Sequence, residues 1–119
     1  MTKLLSQEQV DQYHISGFVS PLNILNDDEI TKSLNEIESF EKETGRPIDF
    51  PHKSRCHQLF SWADYLVYHP KILDAVEDII GPNILCYHAT LWVKPAQSNS
   101  FVRWHQAVSY THLTLPTKA

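Results

Sequence analysis

Residues 84–94, ILCYHATLWVK, constrain this chain more than any other stretch. Ile84, Cys86, His88, Thr90, Trp92 and Lys94 fall on one parity, and Leu85, Tyr87, Ala89, Leu91 and Val93 on the other. Successive side chains of a strand point to opposite faces. Read as a strand, the second face is wholly apolar or aromatic and has to be covered, while the first mixes polar groups among bulky ones. Pro95 ends the ladder because it carries no N–H, and Gln97, Ser98, Asn99 and Ser100 are turn formers. A second predicted strand, residues 101–106, places Phe101, Arg103 and His105 on one face, and position 107 shares it. An edge of this kind presents unpaired N–H and C=O groups and invites pairing with other chains.

The residues before these strands read as helices packed around them. Ser6-Gln7-Glu8-Gln9 has the form of a capping box, so a helix is expected to run to about Ser16, burying Val10, Tyr13 and His14, with Gly17 stopping it. Phe18 and Val19 read as a brief strand before Pro21. Asn26 and the acidic run after it open a second helix. Ile30, Leu34, Ile37 and Phe40 form its apolar stripe, and Glu36, Glu38, Glu41 and Glu43 its solvated face. Ser61 reads as the cap of a third helix reaching about Tyr68. Pro70 suits the first turn of a fourth, on which Ile72, Leu73, Val76, Ile79 and Ile80 make one apolar face before Gly81-Pro82.

The chain has 119 residues, 42% of them hydrophobic, and a formal net charge of −4. That is the size of one small domain. The mild acidity gives no basic face for nucleic acid. The chain has no apolar run of the roughly 18 residues that a membrane helix needs, and no signal-like apolar core. The expected setting is cytoplasmic, with a small-molecule partner and neither nucleic acid nor membrane; the oligomeric state is unreadable. Two cysteines, Cys56 and Cys86, are too few for a disulfide framework. His52, Cys56 and His57 lie close in a loop over residues 49–57, but a fourth ligand at sensible spacing is missing, which argues against zinc.

On the residues alone His105 is a lone strand histidine, more often structural than a ligand. A non-haem Fe(II) site of the oxygenase kind holds the metal with two His and one carboxylate and leaves positions open for a co-substrate and O₂. His-x-Asp on a strand offers two of these ligands together. Here the run is His105-Gln106-Ala107: the His is present and the carboxylate is not.

Several motifs fall in an order that resembles the phytanoyl-CoA dioxygenase family of Fe(II)- and 2-oxoglutarate-dependent oxygenases. They are Leu59-Phe60-Ser61-Trp62, His69-Pro70-Lys71-Ile72-Leu73-Asp74, Gly81-Pro82-Asn83, Lys94-Pro95 and Trp104-His105-Gln106, preceded by an opening at Leu5-Ser6-Gln7 through Gly17-Phe18-Val19. The resemblance implies an α+β fold: N-terminal helices plus the first strands of a double-stranded β-helix (jelly-roll) barrel, truncated, with residues 5–107 as the N-terminal part of the domain. It implies Fe(II) bound by His105 and 2-oxoglutarate as co-substrate, with hydroxylation of a small molecule or acyl thioester. It also implies that Lys53, Thr90 and Lys94 contact 2-oxoglutarate or substrate. A solvated loop lysine at 53 and a strand-end lysine reaching water at 94 are the plain alternatives.

The match departs from the family at Ala107, where the pattern has Asp, and it lacks the later His and the Arg that clamps 2-oxoglutarate. Residues 108–119, VSYTHLTLPTKA, resemble the translation of a transposase adapter and are expected to be a non-native tail. Asp and Ala codons both begin with G, so Ala107 reads as a family Asp overwritten after its first base, and the chain as given is expected to be inactive. Two other readings remain. One is a halogenase with a genuine His-x-Ala motif, in which chloride fills the vacated iron position. The other is a non-catalytic binding domain.

Overall fold

The computed structural model describes residues 1–104. The two capping sequences set its first helices. Helix α1 (Gln7–Ser16) begins where the Gln9 N–H donates to Ser6 Oγ at 3.2 Å and the Ser6 N–H donates to Gln9 Oε1 at 2.9 Å. Helix α2 (Asp27–Thr44) repeats the device with Asn26 and Glu29, at 2.9 and 2.8 Å. Each box satisfies N–H groups that a helix start leaves orphaned. Both helices stop on glycines in the left-handed region, Gly17 at φ 81° and Gly45 at φ 69°, where a Cβ would be strained.

Helix α3 (Cys56–Leu59) runs almost directly into α4 (Ser61–Val67). Ser61 is not the cap expected of it. Phe60 holds that position without a side-chain bond, and backbone continuity takes its place: the Phe60 N–H donates to the Cys56 carbonyl at 2.9 Å, and the Asp64 N–H to the Phe60 carbonyl at 3.0 Å. Helix α5 (Pro70–Ile80) starts with proline in its first turn, behind His69 as N-cap.

The core sits where α2, α3 and α4 meet. Ile48, Cys56, Trp62 and Ala63 are buried, and Ile37, Phe40, Phe60 and Leu66 pack against them. Phe60 meets Phe40 edge-on at 5.0 Å between ring centroids and stacks on Trp62 at 5.9 Å. A second contact joins α1 to α5. There Leu5 and Val10 are buried, and the Asp78 carboxylate accepts the N–H groups of Lys3, Leu4 and Leu5 at 2.7–2.8 Å. Burial alone would raise the Asp78 carboxyl, but these three donors and the nearby Lys3 ammonium more than offset it and hold it below its ordinary value.

The expected α+β fold, with the first strands of a jelly-roll barrel, is not what forms. Among the described residues there are five helices and a single isolated antiparallel bridge, Ser54 with Thr90, and no strand or sheet. Phe18–Val19 is not a strand. Residues 84–94 run without a regular ladder, as do residues 101–104 of the second expected strand. A helix closes its backbone bonds within itself, whereas a strand exists only where a neighbour pairs with it. Among the described residues, 84–94 find such a neighbour at the crossing with residues 53–56 alone. The proposed tail, residues 108–119, lies outside the described residues.

The apolar stripes are only partly used. Ile37 and Phe40 of α2 join the core, whereas Ile30 and Leu34 are exposed; on α5 the apolar face is at best half-buried. The radius of gyration, 17.2 Å, exceeds the roughly 13 Å of a compact domain of this length. So small a core depends heavily on its largest member. Trp62→Ala is expected to cost about 3–5 kcal/mol, enough to abolish cooperative helix melting followed by far-UV circular dichroism.

Candidate functional site

The loop at residues 49–57 and the segment at 84–94, read separately from the sequence as co-substrate contacts, meet in the structure. The Leu91 N–H donates to the Lys53 carbonyl at 2.9 Å and the Cys56 N–H to the Ala89 carbonyl at 3.1 Å, flanking the Ser54–Thr90 bridge. The Cys56 thiol also donates to the Ala89 carbonyl, at 3.6 Å. This buried thiol therefore serves the crossing.

Lys53 is half-buried here. Its Nζ pairs with Asp49 Oδ1 at 2.8 Å and lies 5.5 Å from the Trp92 ring centroid, within cation–π range. The Lys53 hydrogen bond, followed by the Phe50 N–H, holds the Asp49 carboxyl below its usual range. Lys53 and Trp92 thus form one patch, an ammonium beside an aromatic face, with Thr90 in the adjacent register, bridged to Ser54. Lys94, at the far end of the same strand parity, is exposed and belongs to the patch only by register. His105, the expected iron ligand, lies outside the described residues. Among those that are described, no three His, Cys, Asp or Glu side chains come together as a metal site, so they do not by themselves fit the Fe(II) that the resemblance implies.

A second cluster was not singled out in the sequence. Glu29 of α2 accepts the Tyr65 hydroxyl at 2.6 Å and His69 Nε2 at 3.0 Å on one oxygen, and the Asn26 N–H at 2.8 Å on the other. His69 is 4% exposed, and its Nδ1 accepts the Lys71 N–H at 3.2 Å. That acceptor role puts the imidazole proton on Nε2, which donates to Glu29. The Tyr65 hydroxyl, with the Asn26 and His69 donors, pulls the Glu29 carboxyl down to about 2, and Glu29 in turn pushes the Tyr65 phenol up. Every member is spoken for, so the cluster ties α2, α4 and α5 together and leaves no free base. Its signal was present: Glu29 closes a capping box, His69 precedes a helix-starting proline, and Tyr65 stands four residues before His69.

A cleft of about 940 Å³ opens between α3, α4, α5 and residues 82–86, lined by His57, Phe60, Tyr68 and Cys86 among others. His57 Nδ1 is buried without a partner among the described residues.

No known protein family, characterised protein or solved structure matches this chain. No helix among the described residues is long and apolar enough to cross a membrane.

The Glu29 tie predicts a pH dependence. A carboxyl lowered from 4.5 to about 2 on folding contributes stability that is fully present above pH 4.5 and is lost as pH falls towards 2. Glu29→Gln removes that contribution. Thermal melts are therefore expected to separate wild type from Glu29→Gln most widely above the upper value and to converge towards the lower one; a constant separation would contradict the tie.

Proposed function

We propose that this chain is part of an Fe(II)- and 2-oxoglutarate-dependent dioxygenase of the phytanoyl-CoA dioxygenase type, which hydroxylates a small molecule or acyl thioester in the cytoplasm. The observation that carries the reading is the crossing of residues 53–56 with 89–91. It puts Lys53 and Thr90, assigned to co-substrate contact on sequence resemblance alone, in adjacent register with an aromatic ring beside the ammonium.

The patch suits a dicarboxylate. An ammonium already paired with a carboxylate has the geometry to accept another in its place, and charge-assisted bonds of this kind are the stronger ones. In this reading Asp49 holds Lys53 extended until an anionic ligand displaces it. The Trp92 ring, within cation–π range of the ammonium, helps to fix its position. Thr90 offers a hydroxyl able to donate to the same ligand. The net charge of −4 favours a small-molecule substrate over nucleic acid. Iron has no three-ligand set among the described residues, and no step is assigned to it.

Three outcomes follow. The 119-residue chain, with Ala107 where the family pattern has Asp, is expected to turn over no 2-oxoglutarate when supplied with Fe(II). The complete gene product is expected to decarboxylate it. In that product Lys53→Gln should raise the KM for 2-oxoglutarate about tenfold or more, the loss that goes with a hydrogen bond to a charged group worth about 1.5–3 kcal/mol. Absence of decarboxylation, or an unchanged KM in Lys53→Gln, would sink the reading.

A further inference from the structure

Residues 83–95 run without a bend or turn, and their backbone has two edges. The Leu91 N–H and the Ala89 carbonyl both point at residues 53–56. Since successive residues of an extended chain point their N–H and C=O groups to opposite edges, those of His88, Thr90 and Trp92 point the other way. Among the described residues nothing hydrogen-bonds to the outward groups of His88, Thr90 and Trp92, while at the start of the segment the Ile84 N–H donates back to the Pro82 carbonyl at 3.1 Å. The side chains beside it are large and uncovered: Leu85 is 87% exposed, Tyr87 79% and Trp92 77%. A half-paired segment with such side chains is a template for another strand.

The segment is also complementary to itself. An antiparallel pair centred on Ala89 sets Tyr87 against the partner's Leu91, Leu85 against the partner's Val93, and Cys86 against the partner's Trp92. Each is an aromatic–aliphatic, aliphatic–aliphatic or sulfur–aromatic contact of the kind that stabilises cross-strand neighbours. In the same register His88 exchanges backbone bonds with the partner's Thr90, and Thr90 with the partner's His88. These are the residues whose donors and acceptors face outward. The hydrogen-bond parity and the side-chain pairing therefore agree on one register. No like charges oppose each other in it, because Lys94 falls against the partner's Ile84. The contact is isologous and closes on two copies.

We propose that the outer edge of residues 84–94 pairs with the same edge of a second copy of this chain, antiparallel about Ala89, to form a closed dimer. The inference does not rest on the oxygenase reading: it is tested by molecular mass, and the other by 2-oxoglutarate turnover.

Sedimentation equilibrium on the 119-residue chain at micromolar concentration is expected to give a dimer that dissociates on dilution. His88→Pro removes an outward N–H while leaving the Leu91 N–H and the Ala89 carbonyl in place, so it should yield a monomer whose helical far-UV circular dichroism is kept while the β contribution of the paired edge is lost. Tyr87→Lys, which sets a charge against the partner's Leu91, should weaken the dimer at least tenfold without touching the backbone. A wild-type monomer overturns the proposal. So do a dimer indifferent to both variants and a ladder of open-ended aggregates, the last because it would mean the edge does not close on itself.

Discussion

The Glu29 carboxylate is the interaction on which the arrangement of the helices most depends. It begins as a local device, closing the capping box that starts α2. Its second oxygen then reaches two other elements, taking the Tyr65 hydroxyl from α4 and the His69 imidazole from the head of α5. A capped helix start is worth about 1 kcal/mol in itself. Here the same side chain also fixes how α2, α4 and α5 are placed, and so where the buried Trp62 and Ala63 of α4 meet Ile37 and Phe40 of α2. His69 completes the tie by capping α5 through its other nitrogen. Four residues thereby satisfy one another, which is what a buried imidazole requires.

Helices and extended segments meet different conditions in this chain. The helices complete their own hydrogen bonds and need neighbours only for their apolar faces, so all five can form around a core of a few residues. Residues 84–94 need a neighbour for every backbone group, and the turn at residues 53–56 supplies one over little more than two residues. The same apolar alternation that predicts a strand therefore gives an extended segment anchored at one point, with aromatic side chains left in water.

The helices were largely legible in the sequence because their signals are local. Ser6 with Gln9, Asn26 with Glu29, Gly17, Gly45 and the His69-Pro70 step are contained within a few residues and fix boundaries directly. Ser61 misled because a serine before an apolar run looks like a cap, while the preceding turn of α3 had already supplied the backbone continuity. The fold class was misread for a different reason. Alternation at residues 84–94 reports which faces a strand would have, not whether a partner exists. The Glu29–Tyr65–His69 tie went unread because its members, though each locally marked, are brought together only by the packing of three helices. Lys53 and Thr90 were each singled out on resemblance, and nothing in either segment alone indicates that the backbones of residues 53–56 and 89–91 cross.

The crossing and the free edge are linked through the geometry of a single segment. In a strand, alternate residues on one face stand about 6.8 Å apart, twice the rise per residue. Thr90, Trp92 and Lys94 keep that spacing only while the backbone is held extended. At present one edge is held, at Ala89 and Leu91, and beyond Trp92 nothing among the described residues fixes the direction in which Lys94 leaves. Pairing along the outer edge would bind the intervening N–H and C=O groups and extend the ladder in both directions from Thr90. The face carrying Thr90, Trp92 and Lys94 would then become a fixed array beside the Lys53 ammonium. On the proposed reading, an array of one hydroxyl, one aromatic ring and two cations would bind a dicarboxylate more tightly than a lone lysine held by its own Asp49, because the ligand would no longer have to order the side chains that bind it.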